Sequence, residues 1–410
     1  MNIVIVGLNF HPELTGIGKY TGDLAAYLAA RGHAVRVITS PPYYPHWRIQ
    51  SHYSGWLYQK ETWRGVEIQR CPLWVPRRPT GFTRLIHLAS FALSSIPALA
   101  AQLSWNPSVV ICVAPALMSA PFSLVFARLS GAQAWIHVQD FELDAAQKLG
   151  LFPVSKWLAD FAARFESFLL NDFDHLSTIS KRMLTRLHEK VISPHKTSLF
   201  PNWVDTNLIH PLKDENSLRI SLEIPAEKLI ILYAGTMGKK QGLENLLAAA
   251  RRLRDQTQIQ FILCGDGSAR AELEGDSQEL PNVRFLPVQP IEKLNQLLNM
   301  ADIHLLLQKA DAADLVMPSK ISGMLASGKA VIATADPQTE LGQIVGEVGI
   351  LVQPDDADAL VKAILELAAS NDKRIELGKK GREFAVSHWD SMAVLMEFEK
   401  DLRELAGHKH

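Results

Sequence analysis

Short apolar runs alternate with amphipathic segments along the chain, and glycine, proline and polar residues separate them. Apolar runs of four to six residues are typical of strands buried in a parallel sheet. Apolar positions three and four residues apart predict helices between those strands. The pattern therefore predicts an α/β fold built on doubly wound parallel sheets.

In the first half of the chain, Asn2–Val6 predicts a strand, followed by a helix at Tyr20–Arg31 and a second strand at Ala34–Ile38. Further strands are predicted at Val109–Val113, Ala134–Val138 and His175–Ile179, with a helix at Lys156–Leu170 and an apolar helical segment at Phe82–Trp105. Residues 41–65 are rich in proline, tyrosine and tryptophan and predict a long loop.

A second series of the same kind starts at the strand Leu229–Tyr233. Its further predicted strands are Ile259–Cys264, Val283–Leu286, Ile303–Leu307, Ala330–Thr334 and Gly349–Val352, with helices at Leu243–Leu253 and Ala357–Ala368. We therefore expect two tandem Rossmann-like domains, residues 1–205 and 206–387, facing each other across a cleft. A C-terminal helix over residues 388–410 is expected to pack back on the first domain. Ligands of such folds bind at the carboxyl ends of the strands.

Composition narrows the class of protein. Apolar residues make up 47% of the 410 residues and charged residues 21%, which excludes a disordered chain and a coiled coil. The net charge of −1 gives no electrostatic reason to expect nucleic-acid binding. Cys71, Cys112 and Cys264 lie far apart and predict buried thiols in a reducing compartment rather than a disulfide or a zinc site.

The charge is unevenly distributed along the chain. Residues 1–205 contain 19 Lys and Arg against 13 Asp and Glu, and the stretch Arg31–Arg128 has ten basic residues and two acidic ones. Within it Leu85–Ala127 has no charged residue, but four prolines interrupt it, so core elements fit better than a transmembrane hairpin. Arg77 and Arg78 precede the apolar segment, which favours an anionic membrane surface as partner; a solvated basic face is the alternative.

Three turns at predicted helix starts could bind an anionic group, because backbone amides are exposed there. They are Gly16-Ile17-Gly18, the loop from Gly235 to Gly242 that contains Lys240, and Ser319-Lys320. The first two loops match neither the dinucleotide-binding nor the Walker spacing of glycines. A tight turn, a solvated loop and a capped helix are the respective structural alternatives.

Other candidate residues lie in the first half. His137, Asp140 and Glu142 lie at or just after the end of the predicted strand Ala134–Val138, where side chains of a parallel sheet usually face the ligand. A satisfied surface pair is the alternative for the carboxylates. Tyr43 and Tyr44 lie in an aromatic loop that could stack on a sugar ring or serve packing alone.

Taken in order, these motifs resemble the retaining glycosyltransferases of family 4 (group 1), which have the GT-B fold. The matching motifs are PELTGIGKY from Pro12, RGHAV from Arg31, PNWVD from Pro201, YAG from Tyr233, KQGLE from Lys240, CGDG from Cys264, PSK from Pro318 and LASGK from Leu325. TGIGKYTG, PPYYP, QDFE and TELG are also found in the colanic-acid-type exopolysaccharide enzymes of this family, a branch linked to fucosyl transfer.

The resemblance implies a metal-independent retaining hexosyltransferase that needs no cofactor and takes a nucleotide sugar as co-substrate, a GDP- or UDP-sugar such as GDP-fucose. The implied acceptor is a lipid-linked saccharide of exopolysaccharide or surface-glycan biosynthesis, and the implied location is the cytoplasm, peripheral to the inner face of the cytoplasmic membrane. The implied donor-binding residues are Gly16, Gly18, Gly235, Lys240, Gly265, Ser319, Lys320 and Glu340. The implied catalytic residues are Asp140, Lys240 and Lys320, with His11, Tyr43, Tyr44, His137 and Glu142 on the acceptor side and no metal ligand.

The chain departs from the family pattern at three positions. Many members have two glutamates eight residues apart, where this chain has Leu315 and Gly323. Many also have an arginine where this chain has Thr236. A non-catalytic nucleotide-sugar-binding partner and a sugar-nucleotide epimerase are therefore the alternatives to a transferase.

Overall fold

The computed structural model describes residues 1–13, 16–114, 117–141, 156–190, 192–212, 217–310 and 317–407. The chain divides into two compact units, Met1–Pro201 with Leu395–His410 and Asn202–Val394. The sequence places these divisions at 205/206 and 387/388, a few residues from the observed ones.

The first unit is built on a mainly parallel sheet. Its strands are β1 (Asn2–Gly7), β2 (Ala34–Thr39), β3 (Gln59–Trp63), β4 (Val66–Arg70), β5 (Val109–Ala114), β6 (Gln133–Val138), β7 (His175–Thr178) and β8 (Thr197–Leu199). They lie in the order β3-β4-β2-β1-β5-β6-β7-β8, and β3 alone of these eight runs antiparallel to its neighbour. The central strands β1 and β5 are almost entirely buried, which is why their apolar runs predict them well.

Helices connect the parallel strands of the first unit. They are α1 (Gly16–Ala30), α2 (Gly81–Ala100), α3 (Ala120–Ser130), α4 (Lys156–Asn171) and α5 (Lys181–Glu189). In α1 the buried side chains Tyr20, Leu24 and Leu28 recur every four residues, so one stripe of the helix contacts the sheet. Cys71 and Cys112 are buried and take part in no disulfide bond, as the sequence predicts.

The expectation of a loop throughout residues 41–65 is wrong at its end. Gln59–Trp63 pairs with β4 through the two-residue turn Arg64-Gly65, and both turn residues have positive φ angles of 48° and 79°. Positive φ at both positions matches the turn to the twist of a hairpin. The hydrophobic pattern does not predict this strand, because it lies at the edge of the sheet and its residues are polar and partly buried or exposed.

The second unit contains a six-stranded sheet in which every recorded pair is parallel. Its strands are β9 (Leu229–Ala234), β10 (Ile259–Cys264), β11 (Val283–Leu286), β12 (Ile303–Leu306), β13 (Ala330–Thr334) and β14 (Ile350–Val352). They lie in the order β11-β10-β9-β12-β13-β14, which confirms the strands predicted for this half.

The helices of the second unit are α6 (Ser217–Ser221), α7 (Leu243–Arg252), α8 (Arg270–Asp276), α9 (Leu294–Met300), α10 (Lys320–Ala326), α11 (Glu340–Val348), α12 (Ala357–Ala369) and α13 (Asn371–Trp389). The long helix α13 crosses the segment that follows α10 at very close range. A Cβ atom on Gly378 would lie 2.1 Å from the carbonyl oxygen of Gly328, so this crossing requires glycine.

The last helix, α14 (Ser391–Gly407), carries the chain back to the first unit. Phe398 stacks on Phe200 with 4.2 Å between ring centroids and also packs on Trp135. Glu399 is buried and accepts hydrogen bonds from α1 and from its own helix. The contacts of α14 in the first unit are therefore both apolar and ionic.

Candidate functional site

Two glycine loops follow neighbouring strands of the second sheet and pack backbone to backbone. Gly235 follows β9 with a φ angle of +141°, and Gly265 follows β10 with a φ angle of +149°. A Cβ atom on Gly265 would lie 1.9 Å from the carbonyl oxygen of Gly235, so only glycine fits. The Gly235 N–H donates to the carbonyl of Cys264 at 2.8 Å. These two predicted residues therefore lie together at the carboxyl ends of β9 and β10.

The side chain of Lys320, the first residue of α10, lies directly over Gly235. A Cβ atom on Gly235 would come within 2.3 Å of Lys320 Nζ. Nζ donates a hydrogen bond to Tyr233 Oη at 2.9 Å and lies 4.7 Å from the centre of the Tyr233 ring. Tyr233 Oη in turn donates to the carbonyl of Thr236 at 2.5 Å. One hydrogen-bonded chain thus links the ammonium group to the glycine loop.

Burial lowers the pKa of Lys320 from 10.5 to about 8. Within the ranges that the structure describes, no carboxylate forms an ion pair with this ammonium group. At neutral pH it is still mostly protonated, and its recorded partners are a hydroxyl group and an aromatic ring. A cation that is desolvated without a counter-charge gains most from an incoming anion. The loop around Gly235 is therefore a candidate anion-binding site.

Ser319 and Lys240 are placed differently from Lys320. Ser319 precedes α10 but is exposed and forms no capping hydrogen bond with its side chain, because its backbone is already helical. Lys240 is exposed in a single 3₁₀ turn, and its carbonyl accepts the N–H of Lys309 at 3.1 Å. No recorded contact in the described ranges joins Lys240 to Lys320, so their joint action on one ligand stays a prediction.

Glu340 is half-buried at the start of α11. The preceding residue, Thr339, caps this helix by accepting the N–H of Gly342 at 3.0 Å. A carboxylate in the first turn interacts favourably with the helix dipole, which is a structural reason for its position. A contact between Glu340 and a donor stays a prediction.

In the first unit, a buried carboxylate shapes the glycine turn at the start of α1. A Cβ atom on Gly18 would lie 2.9 Å from both Cβ and Oε2 of Glu13, so the glycine is needed for packing inside the protein. Packing against Glu13 thus gives Gly18 a structural role, and a contact between its backbone and a donor stays a prediction. Gly16 differs, since its φ angle is +62° and nothing described lies within 4 Å of its Cβ position.

Glu13 also fixes the aromatic loop. Its side chain is 3% exposed, and its Oε1 accepts the backbone N–H groups of Tyr43 and Tyr44, each at 2.9 Å. Asn9 Nδ2 donates to the other oxygen at 2.8 Å. Burial raises the pKa of this carboxyl group, and the three hydrogen bonds oppose that rise. Glu13 thus joins the loops that follow β1 and β2.

The predicted acceptor-side residues of the aromatic region differ in exposure. Tyr43 is buried against Trp47, so its ring serves packing, whereas Tyr44 is 39% exposed and available to a ligand. His11 is half-buried and stacks on Trp63 with 3.9 Å between ring centroids. Burial lowers the pKa of His11, and nearby Arg70 lowers it further.

His137 does not face a ligand as the sequence predicts. It is 3% exposed on β6, its Nδ1 shares a hydrogen bond of 2.9 Å with Ser177 Oγ, and it packs on Phe200. Burial lowers its pKa to about 3, so the ring is neutral. The acceptor-side assignment of His137 is wrong because the strand places this side chain in the core. Asp140 is half-buried just after β6, and Glu142 lies outside the described residues.

The sequence analysis does not identify three residues that hold the loops at these strand ends in place. They are Glu13, Arg70 and Tyr233. Arg70, at the end of β4, is 1% exposed and donates to the carbonyls of His11 and Ser40 and to the Glu61 carboxylate. An arginine closing an otherwise alternating apolar strand is the one signal that could have revealed it. No group of three or more His, Cys, Asp or Glu side chains in the described part of the chain could hold a metal ion.

Two family models match the chain in tandem. Residues 15–203 match the glycosyl transferase 4-like domain, and residues 214–384 match the glycosyl transferases group 1 domain. The chain is 42% identical over 413 residues to WcaI of Escherichia coli (strain K12), a protein named for glycosyl transfer in colanic acid biosynthesis. That match covers 98% of this chain and 100% of WcaI.

Solved structures share the fold over nearly the full length. Sucrose-phosphate synthase from Thermosynechococcus elongatus matches with a TM-score of 0.76 and 21% identity, covering 98% of each chain. Anabaena HepE, solved with UDP-glucose, matches with a TM-score of 0.70 and 16% identity over 98% of this chain and 100% of that one. With both halves matched in order and the glycine loops in place, this chain belongs to the group 1 (family 4) glycosyltransferases and is a glycosyltransferase with the GT-B fold.

Proposed function

We propose that this enzyme transfers a sugar from a GDP- or UDP-sugar to a lipid-linked saccharide in exopolysaccharide synthesis, with retention of the anomeric configuration. The observation that carries the proposal is the half-buried, desolvated Lys320 ammonium group, which lies over Gly235 with no ion-paired carboxylate in the described ranges. The name of WcaI supports colanic-acid-type glycan synthesis, and the UDP-glucose bound to HepE supports a nucleotide-sugar donor.

The leaving group of such a transfer is a nucleoside diphosphate, whose negative charge increases as the glycosidic bond breaks. Lys320 and the backbone amides of the Gly235 loop would stabilise that charge in a fixed arrangement, as donors in an oxyanion hole do. Lys240 would add a second, exposed cation. Asp140 would orient or deprotonate the acceptor hydroxyl group. Front-side attack through an oxocarbenium-like state needs no protein nucleophile, which is consistent with retention.

The test is a transfer assay that combines GDP- and UDP-sugars with lipid-linked saccharide acceptors. Formation of a glycosylated lipid with the donor's anomeric configuration supports the proposal. An isomerised nucleotide sugar without transfer would indicate an epimerase. Binding of the donor without turnover of any acceptor would indicate a non-catalytic partner. The reason to test for this outcome is that Leu315 and Gly323 replace the two glutamates found in many family members.

Activity is expected to persist in EDTA. The proposed mechanism stabilises the diphosphate with Lys320, Lys240 and backbone amides, so a divalent cation has no required role. The measurement is the initial transfer rate before and after EDTA treatment, with added magnesium or manganese as the comparison. Loss of activity in EDTA that either metal restores would contradict this part of the mechanism.

Donor use is expected to decline as the pH rises above about 8. The pKa of Lys320 is lowered to about 8, so the free enzyme loses this positive charge through that region, well below the usual range of a lysine. The measurement is kcat/KM for the donor across the alkaline range. A Lys320→Arg variant keeps its charge there, so its profile should lack the decline. An identical decline in both proteins would assign it to another group.

A membrane surface is the second proposed partner, and the exposed face of α2 supports it. Phe82, Ile86, Leu93 and Ile96 recur at helical spacing and are all exposed, Phe82 at 68% and Leu93 at 62%. By length and composition α2 could cross a membrane, and one third of its most apolar window is buried in the protein. A helix half embedded in its own unit with an apolar outer stripe suits binding in the membrane interface.

Neighbouring residues extend this apolar face and give it a positive border. Tyr58 Oη donates to the carbonyl of Ser94 at 2.8 Å, which attaches the exposed segment Trp56-Leu57-Tyr58 to the middle of α2. Arg77 and Arg78 are exposed just before the helix. Aromatic and basic residues at the edge of an apolar face are typical of surfaces that bind anionic bilayers.

Replacing Arg77 and Arg78 by glutamine is expected to weaken binding to anionic vesicles about 30-fold at low salt, because each arginine near the surface contributes about 1 kcal/mol. The measurement is vesicle co-sedimentation with and without anionic lipid at two salt concentrations. Arg251→Gln with Arg254→Gln, two exposed arginines of the second unit, is the matched control. If the wild-type protein does not bind anionic vesicles at low salt, a water-soluble acceptor becomes the better proposal.

A further inference from the structure

The second unit contains a cavity of about 430 Å³ at the amino-terminal ends of β12 and β13. Asp302 precedes β12, and Lys329 precedes β13, whereas the Gly235 loop follows the carboxyl end of β9 in the same parallel sheet. The cavity therefore lies at the edge of the sheet opposite the candidate anion site around Lys320. Its charged lining consists of Lys329, Arg374, Lys379 and Arg382 with Asp302 and Glu383.

Lys329 is the least satisfied cation of this lining. It is partly buried, and no hydrogen bond or salt bridge to its ammonium group is found among the residues that the structure describes. Burial lowers its pKa, and the Asp302 carboxylate acts against that shift from beyond ion-pair distance. A half-buried ammonium group of this kind loses hydration without gaining a partner.

The two arginines are held by neutral groups. Arg374 Nη1 donates to the carbonyls of Leu367 and Ala368, and Arg382 donates to the carbonyls of Thr206, Ile209 and Ala326. Neither guanidinium group has a salt bridge within the described ranges. These bonds fix the guanidinium planes without cancelling their charge, so the arginines are oriented in advance.

The two carboxylates cancel only part of the positive charge. Asp302 accepts the backbone N–H of Ile230 at 2.7 Å and lies 3.6 Å from Arg219, a cation outside the cavity lining. Glu383 is exposed and lies 3.9 Å from the exposed Lys379. With four cations against two carboxylates, the lining keeps a net charge of +2, and among the described residues no carboxylate forms an ion pair with Lys329, Arg374 or Arg382.

We propose that this cavity binds the phosphate group of a small molecule, as a phosphomonoester or a pyrophosphate. A dianion matches the net charge of the lining, and guanidinium and ammonium donors on separate elements suit its several oxygens. The cavity is large enough for the organic part of a small phosphorylated molecule in addition to the phosphate. The site is separate from the donor site and does not depend on the proposed transfer reaction.

Labelling with pyridoxal 5′-phosphate tests the proposal on the full-length protein. The aldehyde condenses with a neutral lysine amine with loss of water, and borohydride reduces the imine to a stable amine that peptide mapping assigns to a residue. At Lys329 the ratio of the labelling rates with pyridoxal 5′-phosphate and with pyridoxal should be at least about tenfold larger than at the exposed Lys362, because the site recognises the phosphate group. The comparison with Lys362 corrects for the lower intrinsic reactivity of pyridoxal, whose hydroxyl group adds to its own aldehyde. Inorganic pyrophosphate should lower the ratio at Lys329 to the ratio at Lys362.

Two variants show whether the cavity lining is responsible. Arg374→Gln and Lys379→Gln should each reduce the preference for the phosphorylated reagent at Lys329, and thermal melting identifies any loss of folding. The exposed Lys362 supplies the rate of an unassisted lysine, and labelling at Lys320 reports the donor site separately. The same ratio of rates at Lys329 as at Lys362, or no protection by pyrophosphate, would overturn the proposal whatever the transfer assay shows.

Discussion

Replacing Lys320 by alanine is expected to lower kcat/KM for the donor between about tenfold and a little over a hundredfold. The change removes one charge-assisted contact to the diphosphate, worth roughly 1.5–3 kcal/mol, and that loss converts directly into the rate ratio. The contact is made by a half-buried ammonium group that has no carboxylate bound to it in the described ranges, so solvent screens it less than a surface ion pair. The measurement is steady-state kinetics with the donor as the varied substrate.

A second substitution should disturb the same Lys320–diphosphate contact without changing the lysine itself. An alanine at Gly235 would place its Cβ atom 2.3 Å from Lys320 Nζ, in a backbone conformation that alanine rarely adopts. Gly235→Ala should therefore displace the ammonium group and reproduce much of the Lys320→Ala loss. Lys362→Ala, at an exposed position of α12, is the control and should leave the kinetics unchanged. Wild-type kinetics in the Lys320→Ala protein would remove Lys320 from the donor site.

The fold of this chain is readable from its sequence because its central strands are covered on both faces. Strands such as Val109–Ala114 and Leu229–Ala234 are apolar at nearly every position, and Gly235 and Gly265 follow two strands of the second sheet. The antiparallel strand Gln59–Trp63 escapes this reading because an edge strand in contact with solvent needs no apolar run. A run of apolar residues indicates that a segment is buried, so it identifies a strand only when that strand is buried in the sheet.

The candidate site can be predicted from the sequence only in part, because the sequence shows which residues are present but not which of their atoms are in contact. Gly235, Gly265 and Lys320 were expected in one site, and the close contacts of Gly235 with the other two residues agree with that expectation. The Lys320–Tyr233 hydrogen bond could not be predicted, because Tyr233 ends an apolar strand and has the pattern of a core residue. A long-range contact of this kind leaves no periodic signal in the sequence.

His137 shows the opposite error, in which a polar residue near a strand end is taken as a ligand contact, and Gly18 has a packing role that its sequence context does not indicate. Ser177 on the neighbouring strand β7 supplies the hydrogen bond that satisfies His137 inside the core. Glu13 supplies the packing partner that makes a side chain impossible at Gly18. In both cases the partner lies on another segment of the fold, so the sequence around each residue contains no indication of it.

Replacing Glu399 by alanine is expected to destabilise the first unit by about 2 kcal/mol, because it removes a buried carboxylate that accepts several charge-assisted hydrogen bonds, whereas the Arg31 and Arg403 side chains are each 54% exposed and regain water. The Glu399 side chain is 4% exposed and accepts hydrogen bonds from Tyr27 at 3.0 Å, Arg31 at 2.9 Å and Arg403 at 2.6 Å. His33, itself buried, lies 3.1 Å from the same carboxylate. The loss should loosen α14 from the first unit.

Urea unfolding followed by tryptophan fluorescence measures this change, since seven of the nine tryptophans lie in residues 1–201. Glu397→Ala is the matched control on the same helix. Glu397 is 64% exposed, and its ion pair in the described part of the chain is with the exposed Lys400, so its removal should cost less than about 1 kcal/mol. Equal effects of the two substitutions would mean that α14 is held by Phe398 and its apolar neighbours rather than by the ionic cluster.

Acid titration separates the charge of Glu399 from its packing. Burial raises the pKa of this carboxyl group, but the hydrogen bonds from Arg403, His33, Arg31 and Tyr27 outweigh that effect and lower the pKa to about 2 from 4.5. A carboxyl group whose pKa is lower in the folded protein stabilises it above the unfolded value, and the contribution is lost as the pH falls from about 4.5 towards 2. The stability gap between wild type and Glu399→Ala should therefore narrow across that interval. A gap that stays constant down to pH 2 would mean that the alanine removes packing and not a charged contact.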